Sequence, residues 1–535
     1  MNEKRLILAI VLSTLVIMLW STLFTPARRP QKVPTTPAPS PTQQHTGAGQ
    51  TPQQAARPAP RASGLIPQTP AGGEIFETLE TGKIKINFGS FGARIVNYYI
   101  KEGKKNEKLV NMVLPSIEGD FTPQMFTTFP EVNFKINKKS SATISFNAAI
   151  ENIAVTKEYI INDDGISKII LKVKNISGKN KEFNIQMALG PGIGCDPGDR
   201  KEEVSLTRVI SAVRTAKDKY LIDKNKPGQY FLDKYSWMGM DNRYFCMVIL
   251  NPDAPKISGH FGYYTVSKLT AEKLYVVNLS TQLMVAAGQV QTLEIPFYVG
   301  PKDYTKLLNY GHGLYKIVDF GFFEQFAKLS FYSLKYLYSL TGNYGVAIII
   351  LTIILQVLFY PLTMKSYKAS ASMRNLQPKI KEIQLKYSKD PKRLNAEMLN
   401  LYKAQKVNPL GGCLPILVQI PIFWALFVTL RSTYELRKAP FVLWIDDLST
   451  PDLIFSISGI PVRLLPLLMG ISMYVQQKLT TVTMDQSQKM LTYIMPVMFT
   501  FIFWNFPSGL VLYWLVNNIL SISLQYLISK KHTPP

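Results

Sequence analysis

The residues of this sequence that could carry chemistry are polar side chains inside long apolar runs. In the stretch TIILQVLFYPLTMKS, Thr352 and Gln356 stand four residues apart, and Gln419 lies between Pro415 and Pro421. Positions four apart share one face of a helix. A buried polar group without a partner costs about 2–7 kcal/mol, so such residues in a membrane helix usually face protein or water. The spacing predicts a polar face directed into the protein.

Further polar residues stand in the later apolar segments. For most of them, taken singly, an interhelical hydrogen bond is the favoured explanation, worth about 0.6 kcal/mol on average. The two prolines around Gln419 are expected to kink its helix and free backbone carbonyls. The additional polar residues are Gln476, Asn505, Asn517, Asn518, Ser521 and Gln525.

Covalent or metal chemistry is not favoured by any pattern in the chain. The sequence has no P-loop, no H-E-x-x-H and no G-x-S-x-G, and its four histidines are scattered. We therefore expect no cofactor and no metal. Three cysteines do not form a disulfide framework. A bridge between Cys195 and Cys246 remains possible in an oxidising compartment, and two buried free thiols are the favoured alternative.

Composition indicates a membrane part joined to a large water-exposed part. The chain has 535 residues and a formal net charge of +24, and its mean hydropathy is only +0.05. The run Leu6–Phe24 follows Lys4 and Arg5 and would reach about 28 Å as a helix, enough to cross a bilayer. A cleaved signal peptide is the alternative to a retained anchor over 1–24. Residues 25–72 contain eleven prolines and no acidic residue, which predicts a disordered tether.

Residues 73–310 have the pattern of one antiparallel β domain of the sandwich type. Segments such as KIILKVKNI and QTLEIPFYVG are rich in β-branched and aromatic residues and are separated by turn sequences. Residues 311–341 mix aromatics with lysines at helical spacing. This segment is predicted to be an amphipathic helix lying in the membrane interface, with a helix packed on the β domain as the alternative.

Five further apolar segments predict five membrane helices, six with the N-terminal anchor. The segment 365–410 carries eleven Lys and Arg against three acidic residues, so it is assigned to the cytoplasm together with the tail 529–535. Both termini are then cytoplasmic and the β domain lies outside. The predicted helices span 342–364, 411–431, 460–477, 490–506 and 509–528, joined by an outer loop over 432–459 and an inner loop over 478–489.

The basic segment 365–410 predicts a hairpin of two amphipathic helices. Leu376, Ile380, Ile383 and Tyr387 step by four, three and four, and a second series begins after the breaker SKDPKR. The lysines are explained by topology and by contact with anionic phospholipid. Docking of a ribosome or a targeting receptor is the functional alternative. The candidate docking and steering residues are Lys365, Lys368, Arg374, Lys379, Lys381, Lys392 and Arg393.

The C-terminal half resembles the YidC membrane protein insertase family (YidC/Oxa/Alb). The likeness rests on LQPKIKEIQLKYSKDPKRLNAEMLNLYKAQKVNPLGGCLPILVQIPIFWALF, on APFVLWIDDLS and on FPSGLVLYWLVNN. The anchor, tether and β domain resemble the Gram-negative form, whose periplasmic domain is a β-supersandwich. The implied fold is a multi-domain membrane protein with six transmembrane helices, five of them forming the insertase core, and a cytoplasmic helical hairpin.

This resemblance implies a function without a chemical step. Family members insert and help fold proteins of the bacterial inner membrane, alone or beside the Sec translocon. A nascent membrane protein would place its polar flank in a groove open to cytoplasm and lipid. A secondary transporter or channel, and a membrane-anchored periplasmic enzyme acting on sugars, are the alternative functions.

The resemblance also implies roles for individual residues. Thr352 and Gln356 align with groove residues of the family, and Tyr513 and Trp514 align with an aromatic pair beside the passing substrate helix. Gln419 completes the predicted substrate groove. Gln356 stands where the family usually has arginine, and Trp514 where many relatives have tyrosine. We therefore expect hydration, rather than a fixed cation at Gln356, to admit the substrate, with steering by the basic hairpin.

Overall fold

A computed structural model of the chain describes most residues from position 73 onward. The predicted anchor over 1–24 and tether over 25–72 lie outside the described residues. The described ranges are 73–102, 108–115, 125–195, 200–214, 220–224, 230–231, 235–251, 258–266, 272–388, 390–405, 407, 414–457, 460–480 and 486–532.

The first part of the chain forms three antiparallel sheets, as the alternation of β-branched and polar residues predicts. A four-stranded sheet has the order β1-β2-β3-β4, a nine-stranded sheet the order β11-β10-β13-β14-β17-β8-β7-β6-β5, and a second four-stranded sheet the order β12-β15-β16-β9. The strands are β1 (Phe76–Glu80), β2 (Ile84–Gly89), β3 (Arg94–Glu102), β4 (Lys108–Asn111), β5 (Lys135–Lys138), β6 (Thr143–Ile150), β7 (Ile153–Ile160), β8 (Ser167–Asn175), β9 (Lys181–Leu189), β10 (Arg208–Arg214), β11 (Tyr220–Lys224), β12 (Tyr230–Phe231), β13 (Trp237–Asp241), β14 (Phe245–Leu250), β15 (Ser258–Val266), β16 (Glu272–Val285) and β17 (Val290–Pro301). One short helix, α1 (Arg200–Leu206), interrupts them.

A single apolar core joins these sheets into one domain. Phe88, Phe146 and Tyr159 pack ring to ring within it, and Phe126 meets Phe297 at a centroid distance of 4.6 Å. All five side chains are fully buried. The β-rich domain predicted over 73–310 is thus present, with its strands ending at Pro301.

Cys195 and Cys246 are free and buried, which confirms the prediction of two free thiols over that of a bridge. Cys246 lies on β14 within an apolar cluster, and burial raises the pKa of its thiol, with smaller opposing effects of Lys302 and Asp241. Cys413 lies outside the described residues.

A helical connector leads from the β domain to the second half. It comprises α2 (Tyr304–Asn309), a 3₁₀ turn (Leu314–Ile317) and α3 (Glu324–Thr341). The amphipathic helix predicted over 311–341 therefore begins only at Glu324, because Gly311, Gly313 and Gly321 adopt positive φ and break the helical path before it.

The second half is helical. The helices are α4 (Tyr344–Leu358), α5 (Tyr360–Lys386), α6 (Pro391–Ala404), α7 (Leu414–Ser432), α8 (Leu464–Thr480), α9 (Gln486–Phe503) and α10 (Ser508–His532). By length and composition, one stretch of the described residues, Ser508–Leu527, could cross a membrane alone; α4 with the start of α5 passes the same test only as a bent pair. The number of membrane spans therefore stays a prediction.

The first predicted span, 342–364, is not one straight helix. α4 ends at Leu358, and the chain bends by 59° before continuing into α5 at Tyr360. Pro361 explains the break, because its nitrogen carries no hydrogen and cannot bond to the carbonyl four residues earlier. By contrast, α7 runs unbroken from Leu414 to Ser432 with Pro421 inside it.

The span predicted over 460–477 begins too early. Ile460–Val462 forms strand β19, which pairs with β18 (Phe455–Ile457) in a small hairpin, and α8 starts at Leu464. Pro461 within this apolar run is compatible with an edge strand and poor inside a helix. The other ends also differ: α8 and α9 extend into the predicted loop 478–489, and α10 continues into the predicted tail as far as His532.

The basic segment forms the predicted pair of helices. α5 is longer than expected, because it begins at the bend rather than after it, and α6 starts at Pro391 with Asp390 accepting from the backbone N–H of Lys392 and Arg393. Leu376 and Ile380 are buried, whereas Ile383 and Tyr387 are half-buried and α6 buries none of its residues.

The β domain is bound to the helical half by buried ionic contacts. Arg437, in the loop after α7, places its Nη1 2.6 and 2.7 Å from the two carboxylate oxygens of Glu102 on β3. The Tyr434 hydroxyl donates to the same carboxylate at 2.8 Å. Arg243 donates to the backbone oxygens of Arg431 and Ser449 at 2.8 and 3.0 Å. These contacts fix the helical half against one end of the β domain.

Candidate functional site

A small polar cavity lies between α4, the start of α5, α7 and α10. Its volume is about 30 Å³, room for about two water molecules. Three predicted groove residues, Gln356, Gln419 and Tyr513, line it together, although they stand far apart in the sequence. The remaining lining residues are Leu355, Phe359, Leu362, Thr363, Ile422 and Asn517.

Gln356 is held by the last helix. Its Nε2 donates to the Ser521 hydroxyl at 3.0 Å. The Tyr367 hydroxyl on α5 donates to the backbone oxygen of Ser521 at 3.3 Å. A neutral amide in this place has a neutral partner, so no buried charge has to be compensated.

Gln419 and Tyr513 form the second polar contact of the cavity. The Gln419 Nε2 donates to the Tyr513 hydroxyl at 3.4 Å, a long hydrogen bond. Tyr513 is almost fully buried. Asn517 lies one turn further along α10 and lines the same cavity. Because both contacts are weak side-chain pairs between neutral groups, a competing polar group can replace them at modest cost.

Thr352 does not line this cavity with Gln356, and its assignment to the substrate groove stays a prediction. Its side chain is 1% exposed, and its hydroxyl donates to the Ile348 carbonyl of its own helix at 2.7 Å. A threonine inside a helix commonly bonds the carbonyl four residues earlier. The groove prediction for Thr352 took helix face into account but not this local bond.

Trp514 does not line the cavity either. Its ring packs among the aromatics of α7 and α9, with centroid distances of 4.9 Å to Phe423 and 5.3 Å to Phe503. The neighbour Tyr513 points into the cavity, and one residue of helix turns the side chain by about 100°. The predicted aromatic pair is thus divided between a polar and an apolar environment.

The predicted docking residues form an exposed basic surface on α5 and α6. Lys365, Lys368, Lys379, Lys381, Lys392 and Arg393 are exposed, and the side chain of Arg374 lies outside the described residues. Arg393 also packs over the Tyr387 ring at 5.3 Å, across the turn between the helices.

Sequence reasoning missed Tyr367 as a neighbour of the site, and it did not assign Ser521 or Asn517 to the groove. A signal for two of them was present. Tyr513, Asn517 and Ser521 stand four apart, so they share one face of α10. Tyr367 carries no such signal, since its approach depends on the bend before α5.

Two family models match the chain. One, described as the 60Kd inner membrane protein, matches residues 336–534, and the other, described as the YidC periplasmic domain, matches residues 116–333. Together they cover the connector, the helical half and the β domain from residue 116 onward, and the first sheet, β1–β4, lies before the matched residues.

Curated relatives match at full length. The chain is 42% identical to a membrane protein insertase YidC of Endomicrobium trichonymphae over 85% of both chains. A membrane protein insertase YidC of Pelobacter propionicus is 36% identical over 99% of both chains. Among solved structures, one titled an active YidC insertase is 20% identical, with a TM-score of 0.38 over 86% of this chain and 95% of that one. On the identity and coverage of its curated relatives, the chain belongs to the YidC membrane protein insertase family.

Proposed function

We propose that the chain inserts proteins into the bacterial inner membrane and helps them fold, alone or beside the Sec translocon. The observation that carries this proposal is the convergence of Gln356, Gln419 and Tyr513 on one polar cavity inside a helical assembly. The relatives' shared name, held over nearly the whole chain, favours this function over a transporter or a sugar-active enzyme.

The cavity lowers the cost of bringing a polar segment into the membrane. Transfer of an unpaired polar group into an apolar medium costs about 2–7 kcal/mol. Amide and hydroxyl groups with a little water replace part of the lost hydration. A volume of about 30 Å³ holds water and no polypeptide, so the substrate has to separate the helices as it enters.

The apolar outer surface supplies the driving force for release. Val357, Leu358 and Phe501 are 65–73% exposed on α4 and α9. A nascent helix that slides along this surface reaches lipid and gains about 25 cal/mol for each Å² of apolar surface removed from water. No covalent step is required.

The proposed topology follows the charge of the loops. The anchor and five later helices give six spans, with the basic helices α5 and α6 and both termini in the cytoplasm and the β domain in the periplasm. α3 would lie in the outer interface. Its inner face buries Ala327, Phe331, Leu334 and Leu337, and its other face exposes Phe326, Leu329, Tyr332, Tyr336 and Leu340.

The exposed cations of α5 and α6 are proposed to receive the ribosome or a targeting receptor and to contact anionic phospholipid. Each basic residue near such a membrane surface contributes about 1 kcal/mol. Because they follow the bend at Phe359, they are proposed to lie at the cytoplasmic approach to the cavity and to steer acidic substrate segments.

An insertion assay with reconstituted protein tests the proposal. Gln356→Leu removes the polar group and should impair insertion, whereas Gln356→Arg should change the insertion of a non-acidic substrate little. Thr352→Val is the matched control on the same helix, because Thr352 lies outside the cavity. If the Gln356→Leu protein inserted every substrate as well as the unchanged protein does, the proposed role of hydration would be contradicted.

A further inference from the structure

A second and much larger cavity lies where the β domain meets the helical half. Its volume is about 800 Å³, and it is bounded by β10, by the loop before α3 and by the C-terminal half of α7. It shares no residue with the polar cavity at Gln356. Its two ends differ in chemistry.

One end of this cavity is cationic. Arg208, Arg243, Lys302 and Arg431 line it against one lining carboxylate, Asp319. Buried Asp241 binds Arg208 at 2.5 Å and Lys302 at 2.8 Å.

Glu203 also contributes negative charge, because its carboxylate accepts from the backbone N–H of Arg243 at 3.2 Å. The four cations still outnumber the three nearby carboxylates. A small net positive charge remains, which suits a singly charged anion.

The other end is apolar and follows α7. Ile420, Trp424 and Val428 stand four residues apart and form one wall, and Phe322 and Phe323 stand at the opening. From Ile420 to Arg431 the helix rises about 16 Å, close to the ~15 Å depth of one leaflet of hydrocarbon. Phe322 is 82% exposed, so the cavity has an apolar edge toward its surroundings.

We propose that this cavity binds an anionic glycerophospholipid of the outer leaflet. The phosphate lies among the four cations and an acyl chain lies along Ile420, Trp424 and Val428. An apolar peptide helix would not match the excess of positive charge at the cationic end, and a water-soluble anion would leave the apolar wall uncovered. The bound lipid thereby fills the junction between the β domain and α7.

This inference rests on the proposed placement of the β domain outside the membrane and not on insertion activity. Loss of lipid binding without loss of insertion would therefore reject the lipid site and leave the insertase function intact. Loss of insertion by Gln356→Leu has no bearing on the lipid site.

Fluorescence quenching in vesicles tests the lipid site. The full chain is reconstituted with phosphatidylglycerol or phosphatidylethanolamine carrying brominated acyl chains, and the emission of Trp424 is taken as the difference from a Trp424→Phe protein. We expect half-maximal quenching at a roughly fivefold lower mole fraction of the anionic lipid, equivalent to about 1 kcal/mol for one basic residue.

Two variants, each with a control, test the cationic end and the apolar end of the cavity separately. Arg431→Gln should abolish the preference for the anionic lipid, while Lys168→Gln, a surface cation of the β domain, should retain it. Val428→Phe should reduce quenching by both lipids, and Ile471→Phe on the exposed face of α8 should not. Equal quenching by the two lipids, a preference unchanged by Arg431→Gln, or no quenching of Trp424 would each overturn the proposal.

Discussion

In the β domain, Phe88, Phe126 and Phe297 are fully buried, whereas in the helical half Phe501, Val357 and Ile471 are 61–73% exposed. In the helical half, polar groups lie inside and many apolar side chains lie outside. The exposed face of the helices is apolar while Gln356, Gln419 and Tyr513 converge inside. A surface of this kind is stable in lipid and unstable in water. The surface of the β domain therefore suits water, and the surface of the helical half suits lipid.

The buried polar groups of the two regions also differ. In the β domain, the Lys157 amine is fully buried and reaches two backbone oxygens, those of Gly92 and Phe126, and the Thr128 hydroxyl. Burial lowers the pKa of this lysine well below its ordinary value. In the helical half, Gln356 has one neutral partner. The first arrangement holds a buried charge in place, and the second is the contact that we propose a passing substrate replaces.

The largest difference between the β domain and the helical half is expected when a phenylalanine is replaced by alanine in each. Phe297→Ala removes a fully buried ring and should lower the free energy of unfolding by about 3–5 kcal/mol. Phe501→Ala removes an exposed ring and should change it by less than about 0.5 kcal/mol in detergent. Chemical denaturation of the full chain measures both. Equal losses would mean that the helical exterior is packed against protein.

The junction between the regions should depend on Arg437. Its side chain and that of Glu102 are only 6% and 11% exposed. Arg437→Ala removes the nearest cation from a buried carboxylate, which keeps the Tyr434 hydroxyl and Lys438 at 4.0 Å, and should cost about 3 kcal/mol. Hydrogen exchange in β3 and in residues 434–438 reports the loosening. Lys168→Ala breaks an exposed pair with Glu294 and should cost less than about 1 kcal/mol. Similar losses of stability in both variants would show that the buried Arg437–Glu102 ion pair does not stabilise the junction.

The stability of this junction should depend on pH through Glu435, which lies in the turn after α7. Burial, with a smaller contribution from Asp303, raises the pKa of Glu435 from 4.5 to about 7. The folded state then binds more protons than the unfolded state between these values, so stability should fall as the pH rises from about 4.5 to 7.

Glu435→Gln should flatten this part of the pH profile and raise stability at pH 7 and above. Thermal unfolding of the two proteins across this range is the measurement. A profile unchanged by the substitution would show that other groups determine it.

The smallest expected effect concerns the exchangeable polar contacts. A double-mutant cycle of Gln356→Ala and Ser521→Ala should give a coupling energy of about 0.6 kcal/mol, the average for hydrogen bonds between membrane helices. Unfolding of the four proteins in detergent measures it. A coupling above about 2 kcal/mol would indicate a rigid contact, and the contrast with Lys157 would fail.

Sequence patterns predicted the elements better than their orientation. The antiparallel strands and the two basic helices agree with the structure because periodicity is a local property. Gln356 and Tyr513 were assigned to one groove through the family resemblance, and the structure places them with Gln419 at one cavity. The bend at Phe359 and the strand Ile460–Val462 were missed, although Pro361 and Pro461 marked both places. Apolar composition alone does not distinguish a broken helix from a straight one.

The sequence could not show whether Thr352 and Trp514 line the polar cavity. Whether a side chain enters a cavity depends on the rotation of each helix against its neighbours, which one sequence does not contain. Thr352 satisfies its hydroxyl within its own helix, and Trp514 has aromatic neighbours from two other helices.

The central claim, that the polar cavity receives a nascent membrane protein, is tested most directly by site-specific photo-crosslinking. Crosslinking residues placed at Gln356 and Tyr513 should capture a stalled nascent chain, and one placed at Glu294, exposed on the β domain, should not. Capture from Glu294 equal to that from Gln356, or no capture from either cavity position, would contradict the account.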